Sequence, residues 1–427
     1  MRSKSTTKRA KPRSKARRIL ASLGPGVITG AADDDPSGIA TYSIAGASLG
    51  FSLLWSAGLS WPLMAFVQMT CARVGMVTGQ GLAVGLKRRF WKGGIAVVAS
   101  ALFLANTINI AADLAGMADA AAMVLHVPPP VGVLVFAAVI AWLTVTLRYE
   151  QISRVLKWLA LALFLYVLVA LRVAEDWGEI LKAAVLPHWP RKREEWGMLV
   201  AILGTTISPY LFFWQASQEV EEEKAAGLKR VEERRGTTSE ALSRRRWDVG
   251  IGTFFSNFVM FFVIVATALT LHRHGVTHPK TSADIARALE PVAGKFTELL
   301  YALGLIGVGL LAIPTLSGSA AYAFAETFGW RQGLDRSFKG ARAFYVVVIL
   351  ATVLGAAVDF AHISPVAALY WSAVINGILA PFLLVGILVL ASNRKLMLGK
   401  PIPIFSRVVV GITCAVMFAA AIAMVVF

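Results

Sequence analysis

The sequence predicts an all-α membrane protein of eleven transmembrane helices, arranged as an inverted five-plus-five repeat in which helices 1 and 6 are discontinuous. Three observations carry that reading. Of 427 residues, 57% are apolar and 16% charged, with mean hydropathy +0.65, a composition foreign to a chain of soluble domains. The charges cluster between apolar runs of about twenty residues, the length a helix needs to cross a hydrocarbon core about 30 Å thick. Two of those runs, the first and the sixth, are interrupted by proline and polar residues. Alternating ten-residue strands are absent, which excludes an outer-membrane barrel.

Apolar runs bounded by charge, glycine and proline place the spans at roughly 19–46, 51–77, 95–125, 129–147, 154–173, 196–220, 248–272, 297–326, 342–361, 364–392 and 404–427. The implied organisation is a basic tail (1–18), a first five-helix repeat (19–173), a second (196–392) and an additional helix (404–427). Residues 1–18 followed by apolar 19–32, with Ala31 and Ala32, have some cast of a signal peptide; a solvated basic tail anchoring the first helix is the preferred reading.

A formal charge of +17 would suggest nucleic acid in a soluble protein, but here the Lys and Arg sit between spans and set orientation instead. With the N-terminus in the cytoplasm, 31 of the 42 basic residues fall in cytoplasmic segments and nine in outer ones. The C-terminus is then outside, in a multi-pass protein of the inner (plasma) membrane. The longest cytoplasmic loop, 221–247, alternates acidic and basic residues and reads as a solvated helix-turn connection. Cys71 and Cys414 lie far apart inside apolar runs and read as small core residues, with no metal or disulfide spacing.

The first span holds Asp33, Asp34 and Asp35 followed by Pro36, Ser37 and Gly38. A carboxylate at bilayer depth costs a few kcal/mol, and Pro and Gly beside it prevent an unbroken helix, so this segment faces a cavity. In the sixth span Pro209 follows Gly204, Thr205, Thr206, Ile207 and Ser208. Proline removes a donor and strands a carbonyl, and a stranded oxygen can coordinate a cation. Interrupted helices at matching places in two halves point to the substrate site of an inverted-repeat transporter.

Carboxylate, carbonyl and hydroxyl oxygens suit hard divalent cations such as Mg²⁺ or Mn²⁺, whereas soft-metal selection calls for Met or Cys. Asp35 leads the candidate ligands because it directly precedes Pro36, where the chain leaves helix. Asp34, Ser208 and the backbone of Ile207 join it. Asp33 and Asp34 point about 100° apart on a helix, so one is expected to line the approach and the other to hold a proton. Asp113 in the third span, beside Asn106, Asn109 and Asp119, reads as a pathway residue. Glu219, Glu222 and Glu223 close span six at the cytoplasm, with a cation-attracting vestibule as the second reading. Asn257, Asn376, Ser317 and Ser319 read first as helix-helix glue, and His362 beside Asp359 as a surface pair.

These motifs resemble the Nramp family of proton-coupled divalent metal transporters, which share the inverted-repeat fold. The family's first helix carries GPG and, eight residues on, Asp-Pro-Gly-Asn; here Gly24, Pro25 and Gly26 precede Asp35, Pro36, Ser37 and Gly38. Residues 72–83, ARVGMVTGQGLA, are similar to the family's ARLGVVTG, and GTTISPY to its GATVMPH. The resemblance implies that Gly38 and Ser208 stand at the family's Asn and Met ligand positions, and Tyr210 and Gln215 at those of two histidines. Loss of the thioether makes Mg²⁺ plausible as a substrate; loss of both histidines speaks against the proton coupling that the resemblance implies. Tyr210, Gln215, Glu219, Asp33 and Asp113 thus form the expected ion pathway.

The expected function is secondary active import of divalent cations, the metal being substrate and not cofactor. The second reading is a cation-coupled symporter of a small organic solute such as an amino acid, since helix N-termini can bind a carboxylate; three aspartates oppose an anion there. Membrane-embedded enzymes are disfavoured by the lack of HExxH, GxSxG or P-loop motifs. The bilayer is the expected partner, with no nucleic acid and no obligate protein.

Overall fold

The computed structural model describes residue 30 and residues 33–147, 160–334, 336–358 and 364–427. Gly24, Pro25, Gly26, Asp359 and His362 lie outside these. Among the described residues the secondary structure is helical throughout. The long helices are α1 (Pro36–Leu49), α2 (Trp55–Thr78), α3 (Lys92–Leu125), α4 (Pro129–Thr146), α5 (Phe164–Val173), α6 (Arg193–Thr206), α7 (Pro209–Ala225), α8 (Ser239–Thr270), α9 (Thr297–Phe328), α10 (Arg342–Val358), α11 (Pro365–Ser392) and α12 (Ile404–Val426). Seven described stretches are long and apolar enough to cross a bilayer, and α5 and α10 are shorter apolar helices.

The start of α1 follows directly from its sequence. Asp35 is extended (φ −73°, ψ 170°) and its carboxylate accepts the Gly38 N–H at 2.7 Å, while Pro36 takes the first helical position, where its missing N–H costs nothing. Pro129 and Pro365 open α4 and α11 in the same way. The sixth span breaks as expected. Thr206 ends α6, Ile207 leaves helical geometry (φ −115°, ψ 60°), Ser208 is extended and Pro209 starts α7.

The packing repeats itself after five spans. The main partners are α3 with α9, α6 with α11, α1 with α8 and α7 with α2. Shifting by five spans turns the α1–α8 contact into the α7–α2 contact and maps α3–α9 onto itself, which is the pattern of a five-plus-five repeat. Small residues allow the closest crossings. A Cβ on Gly204 of α6 would sit 2.1 Å from the Ala373 carbonyl oxygen of α11, and one on Gly377 would sit 2.4 Å from that of Val200.

The 221–247 segment is a helix-turn connection that is mostly exposed, as expected, and is tied down at one point. Helix α7 runs to Ala225, Val231–Arg234 is a short helix, and α8 starts at Ser239, capped by Thr238. Arg234 is buried and donates to the carbonyls of Gly79, Leu228 and Lys229, so the segment is docked against the end of α2.

Candidate cation site where the two breaks meet

Asp35 is buried and its two oxygens are shared between helices. Oδ1 accepts from Gly38 N (2.7 Å) and Ser37 Oγ (2.9 Å); Oδ2 accepts from Asn109 Nδ2 of α3 at 3.0 Å. The same Asn109 amide donates to Asp113 Oδ2 at 3.2 Å, one hydrogen to each carboxylate. Its Oδ1 accepts from Ser37 Oγ (3.3 Å) and from Asn376 Nδ2 of α11 (3.1 Å). Asn109 therefore ties α1, α3 and α11 around Asp35, and Asp113 stands beside the central carboxylate.

The sixth-span break closes on this group from the other side. A Cβ at Gly38 would lie 3.0 Å from Thr205 Oγ1 and 3.4 Å from Asp35 Oδ1, so the space above Gly38 is taken by the Thr205 hydroxyl and is not vacant. Tyr42 and Thr206 hydroxyls meet at 3.4 Å. Tyr210, also buried, follows Pro209 at the start of α7. Ser208 Oγ gives its hydrogen to the Gly204 and Thr205 carbonyls, at 2.7 and 2.6 Å. The stranded carbonyl is thus partly satisfied by the hydroxyl, whose lone pairs stay available.

Asp33 and Asp34 share one donor, Ser256 of α8, whose Oγ is 2.5 Å from Asp33 Oδ2 and 3.1 Å from Asp34 Oδ1. Among the described residues, the buried Thr205 Oγ1, Asp33 Oδ1, Asp113 Oδ1 and Asn376 Oδ1 have no hydrogen-bond partner. Buried polar atoms are rarely left so, and oxygens of this kind are the donor chemistry of a hard cation. Met260 Sδ of α8 lies 3.9 Å from Thr206 Oγ1, so a thioether does stand beside the break, on its Thr206 side.

Gln215 and Glu219 belong to a different group. Gln215 Nε2 donates to Glu219 Oε1 at 2.7 Å, and Glu219 is ion-paired at 2.9 Å with Arg245 of α8, which also holds Glu222 and Asp248. Glu219 is 1% exposed: it does not face the cytoplasm, because the guanidinium from α8 covers it. Asp119 accepts the Ser282 N–H at 2.9 Å, and Asn106 donates to the Leu316 carbonyl at 2.8 Å, both as helix-helix glue. Asn257 plays that part between α2 and α8, accepting from Ser60 at 2.7 Å.

Sequence reasoning passed over Asn109 as a hub, although Asn109 and Asp113 are spaced i, i+4 on one face of α3. Ser256, a single serine in an apolar run, carries no such signal.

The natural resistance-associated macrophage protein-like (Nramp) family profile matches residues 26–427 of this chain. The chain belongs to the Nramp family. It is 26% identical over 393 residues to the divalent metal cation transporter MntH of Klebsiella pneumoniae subsp. pneumoniae, covering 90% of this chain and 88% of that protein. To MntH of Mycobacterium tuberculosis (strain CDC 1551 / Oshkosh) it is 26% identical over 314 residues, 71% and 68% of the two chains. Its fold matches the Eremococcus coleocola manganese transporter with TM-score 0.77 at 17% identity, over 98% and 89% of the chains. A nucleobase-cation-symport-1 family transporter matches with TM-score 0.57 at 14% identity, over 94% and 90%. Nramp membership makes the chain a multi-pass transporter and not an enzyme, with a metal ion as its substrate.

Proposed function

We propose that the chain is a secondary transporter that brings hard divalent cations, Mn²⁺ and Mg²⁺, across the plasma membrane. The observation that carries this is the buried carboxylate of Asp35 at the α1 break, held by the Asn109 amide and faced by the Thr205 hydroxyl of the opposite break. Relatives named divalent metal cation transporters support it. Asp35 supplies the charge, Ser208, Thr205 and the Ile207 backbone supply neutral oxygens, Asp34 reinforces the field, and Gly38 adds no ligand of its own. The C-terminus of α6, the negative end of its dipole, lies at the break and favours a cation there.

In this reading the N-terminus is cytoplasmic and the C-terminus outside, and any proton that travels with the ion uses carboxylates such as Asp113, because Tyr210 and Gln215 replace the histidines. The test is uptake of Mg²⁺, Mn²⁺, Co²⁺ and Cd²⁺ into proteoliposomes, with and without a pH gradient. Uptake of the hard ions is expected; a protein that moves none of the four, or only Cd²⁺, sinks the reading.

A further inference from the structure

An open cleft of about 500 Å³ lies between α2, the start of α8 and the chain entering α12, lined by Phe66, Met69 and Arg73, by Arg246 and Gly250, and by Phe405. It sits at the end of the bundle that carries the 221–247 and 394–400 segments. Arg73 donates through Nε to the Lys400 carbonyl at 3.2 Å, which leaves its two terminal nitrogens without a hydrogen bond to the protein among the described residues. Arg246 of α8 lines the same cleft. The nearby carboxylates Glu219, Glu222 and Asp248 all converge on Arg245, so among the described residues neither Arg73 nor Arg246 has an acidic partner. Two guanidiniums lining one cleft, one of them half-buried, call for an anion.

The rest of the wall says what kind of anion. Phe66 and Phe405 meet edge to face at 5.3 Å, and Ile404 and Phe405 are 75% and 67% exposed, an apolar surface that in a membrane-spanning chain meets lipid. Trp247, next to Arg246, is 73% exposed, and exposed tryptophan marks the headgroup level. We propose that this cleft binds an acidic phospholipid, its phosphate between Arg73 and Arg246 and an acyl chain along Phe66, Met69 and Phe405. Basic clefts between spans are suited to such headgroups, and the flat, five-donor guanidinium fits phosphate oxygens pairwise. An occupant there would hold α2, α8 and α12 together at the end where Arg245 locks α7 to α8.

Native mass spectrometry of the purified full chain, supplied with phosphatidylglycerol or phosphatidylcholine, tests this. Phosphatidylglycerol should be retained in preference, and Arg73→Gln with Arg246→Gln should weaken it about thirtyfold, with phosphatidylcholine binding unchanged. Gly250→Leu keeps both arginines and, since a Cβ at Gly250 meets nothing within 4 Å, folds normally while filling the cleft; it should reduce phosphatidylglycerol retention as well. Equal retention of the two lipids, unchanged binding in the double variant or in Gly250→Leu, or displacement of the lipid by millimolar inorganic phosphate would each overturn the proposal. If the double variant fails to fold, Gly250→Leu decides.

Discussion

Asp35 does two jobs with one carboxylate: it caps α1 and it presents negative charge at the break. Asn at this position keeps the size and an oxygen for the Gly38 N–H but removes the charge, so Asp35→Asn should abolish divalent uptake while purification and helix content stay unchanged; uptake at the original rate would remove Asp35 from the site. Asn109 acts through others. Asn109→Ala leaves two buried carboxylates without a shared donor, at about 1–3 kcal/mol, and should raise KM for the ion more than tenfold and lower the melting temperature. An unchanged KM would leave Asn109 as plain glue. The selectivity prediction rests on Ser208, whose hydroxyl is drawn back to the Gly204 and Thr205 carbonyls. Ser208→Met adds a soft ligand and removes that hydroxyl, so competition assays should show Mn²⁺ and Cd²⁺ gaining on Mg²⁺. Met260→Leu should leave the ranking alone, because its sulfur already contacts Thr206; a shifted ranking in Met260→Leu would make that thioether a ligand.

Among the elements, the breaks were legible because proline and aspartate within apolar runs have few physical explanations. Span edges were legible where Pro129 and Pro365 fix the first helical residue. The start of α8 was not: the apolar run begins at 248, whereas the helix begins at Ser239, because part of the charged helix-turn connection is a Thr238-capped extension of the same helix. The Glu219–Arg245 pair was hidden for a related reason, its partners lying 26 positions apart on separate helices. Likewise only the fold shows the Thr205 hydroxyl above Gly38. The α6–α11 crossing gives an element-scale prediction. Gly204 approaches the α11 backbone so closely that a Cβ meets a carbonyl oxygen at 2.1 Å, and backbone cannot move aside as a side chain can. Gly204→Val should therefore lower the melting temperature strongly, by overpacking worth about 1–3 kcal/mol or more, and should lower uptake because the sixth-span break shifts with α6. A stable, fully active Gly204→Val would mean that the two helices do not approach as described.

Across the whole molecule the basic residues predict the orientation of the chain in the membrane. Short basic loops stay in the cytoplasm during insertion, and 31 of 42 Lys and Arg fall on one side of the predicted spans against nine on the other, an imbalance too large for one or two misplaced span edges to reverse. The side with 31 includes the docked 221–247 segment, where buried Arg234 and Arg245 are fixed by carbonyls and carboxylates, so part of its charge serves packing; removing those two still leaves a threefold excess. Site-directed labelling checks the orientation cleanly because both native cysteines, Cys71 and Cys414, are buried. Ala226 and His278 are exposed, on the segments after α7 and after α8. In intact cells a membrane-impermeant maleimide should label His278→Cys at once and Ala226→Cys only after permeabilisation. The opposite pattern would invert the molecule and, with it, the direction from which Asp35 receives its ion.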